Sequence, residues 1–224
     1  MDIFMSLNEL LKIVQKIIKD FQKEPYCIKV IKNNSDSVEK IFSFRYNIYC
    51  LVDKLLKKED YPDKKEFDEF DKYSVFLVAF NKSDEIIGLL RVVKYSKHTF
   101  PTIEEFKLDN ALQHIKKDKT VEISRFMIRP DYRKTLLIYY LYKAAFIYSK
   151  KHGINFWIGC VEDWFLKSFK GILGDIKMIG EPVFCFNAVN YPFIINLNSL
   201  EEKLKLKDKF FYYLLKHKTK KIKV

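Results

Sequence analysis

The chain has 224 residues, 48% of them hydrophobic, enough to bury a sizeable core in one domain spanning residues 1–224. Its longest apolar runs, near 136–148 and 184–197, are interrupted by Lys143, Asn187 and Asn190, which excludes a membrane helix of ~20 uncharged residues. The net charge of +12 points to an anionic partner such as a nucleic acid, an acidic protein or a membrane surface.

The opening MDIFMSLNELLKIVQKIIKD lacks the basic start, unbroken apolar core and small-residue cleavage site of a signal peptide, so a cytoplasmic protein is expected. Cys27, Cys50, Cys160 and Cys185 form no CxxC pair, and the four histidines are equally scattered, so neither a disulfide framework nor a metal site is expected. Lysine supplies 36 of the 41 basic residues, and that bias makes Arg45, Arg91, Arg125, Arg129 and Arg133 informative. Arginine's planar fork holds a carboxylate bidentately, which a lysine ammonium cannot do.

In chain order, Leu7, Leu10, Leu11, Val14, Ile17, Ile18 and Phe21 share one face of an amphipathic helix over about 4–23. A strand over 26–31 follows, and Ser35 or Asp36 can cap a helix running to about Leu56, which puts Arg45 and Tyr49 one turn apart on one face. The charged stretch KKEDYPDKKEFDEFDK, 57–72, reads as a mobile loop ending in Asp68 and Asp71. Strands over 73–80 and 86–93 flank the turn NKSDE as an antiparallel hairpin with Arg91 near its far end. Thr102 and Glu105 in PTIEEF give a capping-box start to a short helix with a local role.

The stretch VEISRFMIRPDYR, 121–133, organises the rest. Apolar alternation holds at Val121 and Ile123, then resumes one residue out of step at Phe126 and Ile128, as a β-bulge near Ser124 would require. The extra residue brings Glu122 and Arg125 to the same side of the sheet as a carboxylate–guanidinium pair. Beyond it, Leu137, Leu141, Ala144, Ala145 and Tyr148 keep helical spacing up to Gly153. A strand over 154–160 beside the central one, a helix over 163–173, a closing hairpin around NAVN and a basic amphipathic helix over about 199–218 complete the chain. This order describes an α/β three-layer sandwich on a mixed central sheet with a bulged central strand.

That order, with RPDYR after the central strand, resembles the GNAT acyltransferase fold. Its charged positions resemble the acyl-homoserine-lactone (autoinducer) synthases: an Arg with an aromatic four residues on, Asp-x-x-Asp, Arg, then Glu-x-Ser-Arg-Phe. Here these are Arg45 and Tyr49, Asp68 and Asp71, Arg91, and Glu122, Ser124, Arg125 and Phe126. The chain departs from that branch in having Leu55 where those synthases carry a tryptophan. Its closing GEPVFCFNAVNYPFIINL is more similar to the N-acyl amino acid synthases and exosortase-associated acyltransferases. RKTLLI also lacks the glycines with which acetyl-CoA enzymes of this fold cradle a pyrophosphate.

The resemblance implies an N-acyltransferase that moves a fatty acyl group from acyl carrier protein, or from acyl-CoA, to the amine of an amino acid or related small molecule. It implies no permanently bound cofactor, no metal and no nucleic-acid partner. Glu122, Arg125, Asp68 and Arg91 are the implied catalytic residues, with Glu122 as general base; Arg45, Tyr49, Asp71, Ser124 and Phe126 are the implied substrate-binding ones. The competing readings are an acetyl-CoA-dependent N-acetyltransferase and a non-enzymatic basic module whose KDKFFYYLLKHK stretch stacks on bases.

Overall fold

The computed structural model describes residues 26–224, apart from 97–98, 109, 111, 114, 174–175, 208 and 217–220. The helix expected over about 4–23 lies outside the described residues. Strands β1 (Cys27–Lys32), β2 (Ser74–Phe80), β3 (Ile86–Lys94) and β4 (Thr120–Ile128) pair antiparallel in sequence order. The next strand, β5 (Phe156–Glu162), lies beside β4 as expected and runs parallel to it. Three further strands extend that end: β6 (Lys177–Met178), β7 (Val183–Cys185) and β8 (Ala188–Asn196), with β8 antiparallel to β5, β6 and β7. At the opposite edge the chain end returns as β9 (Ile222–Lys223), parallel to β1.

Alternation along β2 shows why three layers form. Val75, Leu77 and Ala79 face one core, with Leu141, Ala144, Ala145 and Tyr148 of the long helix α3 (Leu137–Lys151). Phe76, Val78 and Phe80 face the other core, against Ile41 and Phe42 of α1 (Val38–Tyr46). A strand buried on both faces is apolar throughout, and SVFLVAF is buried at every position. The short helix α2 (Pro101–Glu105) lies on the α1 side, where Ile103 meets Ile158 and Ile194. Helix α4 (Asp163–Leu173) lies on the α3 side through Phe169.

Several local expectations change. The first helix stops at Tyr46, not near Leu56, and widens into a π-helical turn over Asn47–Val52, where Asp53 N donates to Ile48 O. A left-handed Lys54 (φ 54°) then ends it. The 57–72 stretch is not free: Glu66, Phe70 and Asp71 are buried, and Glu66 N donates to Phe42 O. Phe100 stands at the N-cap of α2, so no capping box forms there. Between β7 and β8 the tight turn is Phe186–Asn187, both at positive φ.

The basic tail is two helices, α5 (Leu197–Lys207) and α6 (Lys209–Lys216), packed on the body. Leu200, Leu204, Phe211 and Leu214 are buried in the main core. Buried Lys143 of α3 donates to Leu214 O at 2.6 Å, completing the carboxyl end of α6, and its burial pulls its pKa down to about 8. Phe211 therefore serves the core and not a base-stacking surface. No helix among the described residues is long and apolar enough to cross a membrane.

Candidate active site

The site grows from the bulge in β4. Leu89 of β3 pairs with Met127, whereas Arg91, two residues on, pairs with Ser124, three residues back, so one extra residue lies between Ser124 and Met127. Arg125 takes φ +50°, a left-handed backbone that costs a non-glycine residue about 1 kcal/mol or more. The out-of-step apolar pattern has this cause: Val121, Ile123, Ile128 and, partly buried, Phe126 all reach the same core. The β4–β5 ladder also ends here. Its last pair is Glu122 with Ile158, after which the two strands separate. Gly159 lies at the fork, where a Cβ would come within 2.6 Å of Ile123 O.

On the α1 side of the bulge, three guanidiniums and three carboxylates close a ring. Arg45 NH1 donates to Asp71 Oδ1 at 2.6 Å, and the same oxygen accepts from Arg91 NH1 at 2.8 Å. Arg91 NH1 also donates to Asp68 Oδ1 at 2.6 Å, and Asp68 Oδ2 accepts from Arg125 NH2 at 2.9 Å. Arg125 Nε donates to Glu66 Oε1 at 3.2 Å, and Arg45 Nε donates to Glu66 Oε2, which completes the circuit. Two further bonds fix it to the backbone and sheet: Asp68 N donates to Asp71 Oδ2, and Arg91 Nε donates to Ser124 Oγ. Rings of Tyr49 and Phe186 lie by the Arg125 guanidinium.

Within the ring, charges balance, and the pKa directions follow. Arg125 and Arg91 hold the Asp68 carboxyl down to about 2 against its burial. The Arg125 and Arg45 cations likewise keep Glu66 below the usual carboxylate range despite burial. Such a buried, hydrogen-bonded ring is a specification of geometry more than a net source of stability.

Glu122 stands outside the ring. It shares the sheet face with Arg125, but the expected ion pair does not form, because the ring takes the Arg125 guanidinium. Glu122 Oε2 instead accepts from Thr102 N of α2 at 2.8 Å. Burial pushes its pKa up to about 7, only partly offset by the Thr102 amide and the more distant Arg91 and Arg125. A carboxyl poised near neutrality beside a cavity is suited to take a proton from an amine.

That cavity, of about 970 Å³, opens where β4 and β5 part. Tyr49, Asp68, Glu122, Ser124, Arg125 and Phe126 line it. Arg45, Arg91 and Asp71 do not: all three are buried behind its wall and reach it through Asp68, Ser124 and Arg125. Arg129 and Arg133, left outside the motif, make separate pairs with Asp131 and Asp53. Sequence reasoning missed Glu66 and Thr102. Charge balance carried no signal for Glu66, because the expected set of Arg45, Arg91 and Arg125 against Asp68, Asp71 and Glu122 was already balanced. The local pattern marked Thr102 only as a capping residue, and its partner Glu122 is 20 residues away.

Known proteins share this fold. Residues 44–143 match the acetyltransferase (GNAT) domain family. L-ornithine N(alpha)-acyltransferase from Agrobacterium fabrum is 24% identical over 153 residues, 63% of this chain and 50% of that protein, so the chain spans about half of that relative's length. Among solved structures, BjaI, a CoA-dependent acyl-homoserine lactone synthase, superposes with a TM-score of 0.64 at 22% identity, over 81% of this chain and 89% of its own. FeeM, an N-acyl amino acid synthase from uncultured soil microbes, also gives 0.64 at 10% identity, over 84% of this chain and 99% of its own. The sheet order, the fork between β4 and β5, these likenesses and the match over 44–143 identify the chain as one that carries a GNAT-fold domain.

Proposed function

We propose that the protein is an N-acyltransferase that moves a fatty acyl group from a pantetheine thioester on acyl carrier protein to the amine of an amino acid or related small molecule. The observation that carries this reading is Glu122, a buried carboxyl with a pKa of about 7 at the wall of a large cavity beside a strand fork. The acceptor enters as an ammonium and gives one proton to the Glu122 carboxylate. The neutral nitrogen attacks the thioester carbonyl, a C–N bond forms, and the C–S bond breaks as pantetheine leaves as a thiolate. That thiolate takes the second nitrogen proton. Arg125 and Phe126 lie outside the β3 register, and an amide of the bulge turned to the cavity would support the developing oxyanion. The unpaired β4 edge beyond Glu122 is open to pantetheine amides.

Within this proposal Glu122 is catalytic, and Tyr49, Asp68, Ser124, Arg125 and Phe126 contact substrate. Arg45, Asp71, Arg91 and Glu66 hold Asp68 and Arg125 in place. The apolar wall of Phe126, Tyr142, Phe165, Phe169 and Phe193 fits a long acyl chain better than an acetyl group. Among the described residues, seven carboxylates and two guanidiniums line the cavity, with no lysine, in a chain that has 36 of them. That imbalance favours an acceptor with a second positive charge, as in the ornithine for which the Agrobacterium fabrum relative is named.

Support for a carrier-borne donor comes from the +12 charge and from the start of α3. There Thr135 Oγ1 already accepts from Leu137 N, and Arg133 is drawn to Asp53, so few donors face a CoA pyrophosphate. A cytoplasmic setting belongs to the same proposal and accords with four free cysteines. The test presents one acyl chain on carrier protein and on CoA to ornithine, alanine, tyrosine and S-adenosylmethionine, at about 0.1 M and 1 M salt, with products read by mass spectrometry. Acyl amide formed fastest from the carrier at low salt, with ornithine preferred, is the expected result. No acyl amide from any donor overturns the activity. Equal use of CoA without salt dependence overturns the carrier.

A further inference from the structure

Thr102 carries two polar groups toward Glu122 and uses only one. Its amide N–H donates to Oε2, while its side-chain oxygen Oγ1, on a residue 2% exposed, makes no well-formed hydrogen bond although it lies close enough to Glu122 and Cys160 to hold both of their pKa values down. Buried hydroxyls without partners are uncommon and costly, so one at a cavity wall calls for an explanation. The hydroxyl faces the Glu122 carboxyl and the Cys160 thiol.

We infer that Thr102 is a positioning residue for the base, its amide fixing one carboxyl oxygen and its hydroxyl turning to match the proton state of the other. This inference rests on Glu122 acting as the proton acceptor of the proposed transfer. The two groups differ in donor and acceptor capacity. A backbone N–H only donates, so it binds the carboxylate more strongly than the neutral acid and cannot accept from the acid's O–H. A hydroxyl both donates and accepts. It donates to the carboxylate before transfer. When the acceptor ammonium gives up its proton and Glu122 becomes a carboxylic acid, the same oxygen rotates to accept from the new O–H. The other groups around Glu122 cannot do this. Arg91 of β3 and Arg125 of β4 are cations already bonded to ring carboxylates and Ser124, and burial holds the Cys160 thiol of β5 firmly protonated.

Thr102→Val keeps the shape and the amide and removes both hydroxyl functions. Loss of a donor to the charged form should raise the midpoint of Glu122 titration by about one pH unit and lower turnover on the acid side about tenfold. Thr102→Ser, which keeps the hydroxyl, should titrate like wild type. The midpoint is read by infrared spectroscopy of the protonated carboxyl band, assigned by its loss in Glu122→Gln, and needs no substrate. It therefore tests Thr102 even where no thioester is accepted, and turnover tests the activity separately. Should Thr102→Val not fold, Thr102→Ala removes the same hydroxyl with less bulk. A midpoint unmoved in Thr102→Val or Thr102→Ala, or moved equally in Thr102→Ser, overturns the inference.

Discussion

Replacing Glu122 with Gln should make the protein more stable at alkaline pH while removing its activity. Glu122 has a folded pKa of about 7 against an ordinary 4.5. A carboxyl raised in this way contributes its stability in the neutral form: that stability is complete below about pH 4.5 and is lost as pH rises through about 7. At about pH 8 the wild type therefore keeps an ionised carboxylate in a buried site, at a cost on the order of 3 kcal/mol. Glutamine has the same shape and no charge. Its carbonyl can accept from Thr102 N, and its amide can donate to the orphaned Thr102 Oγ1. The gain should appear as a rise in Tm of roughly 6–12 °C at about pH 8, and little at about pH 4.5. Turnover should fall ~10²-fold or more. Thermal melts at the two pH values, beside a transfer assay, check both parts. An equal Tm change at both pH values would refute the buried-charge argument, and retention of more than about a tenth of wild-type turnover would refute the general-base role.

Arg45→Lys, Arg91→Lys and Arg125→Lys should each cut turnover well below the level of Arg129→Lys or Arg133→Lys, because Arg45 and Arg125 each bond two carboxylates through different nitrogens and Arg91 holds Ser124 through Nε besides the two carboxylates on its NH1, sets that a single ammonium cannot span in the same geometry; steady-state rates for the five variants decide it. Glu66→Gln leaves Arg45 and Arg125 short of a buried counter-charge and should lower stability by about 3–5 kcal/mol in a denaturant melt, a loss that Arg45→Met should partly reverse. Asp68, held at about 2, contributes stability that is present above about pH 4 and lost as pH falls toward 2, so Asp68→Asn should flatten the acid limb of a stability profile. Gly159→Ala forces a methyl against Ile123 O and should lower stability by about 1–3 kcal/mol, measurable as a shift of the denaturant midpoint.

Much of this arrangement is local enough to be written in the sequence. The out-of-step alternation around Ser124 specifies the bulge, because one inserted residue must reverse every later side chain. The spacing of Leu137, Leu141 and Tyr148 specifies α3 for the same geometric reason. Scarce arginines in a lysine-rich chain mark Arg45, Arg91 and Arg125, since only the planar fork serves two carboxylates.

Partner choice is a different matter. Arg125 meets Glu66 from 59 positions away and Asp68 from 57, and nothing in the local pattern says that these acids, and not Glu122, take its guanidinium. The tertiary fold decides it: α1 carries Arg45 to the 57–72 stretch, the ring closes there with balanced charge, and Glu122 is left to burial and one amide of α2. The same holds for the tail. Its helical period was legible, but its docking depends on Lys143 reaching Leu214 O across 71 positions, a long-range contact that no window of sequence contains.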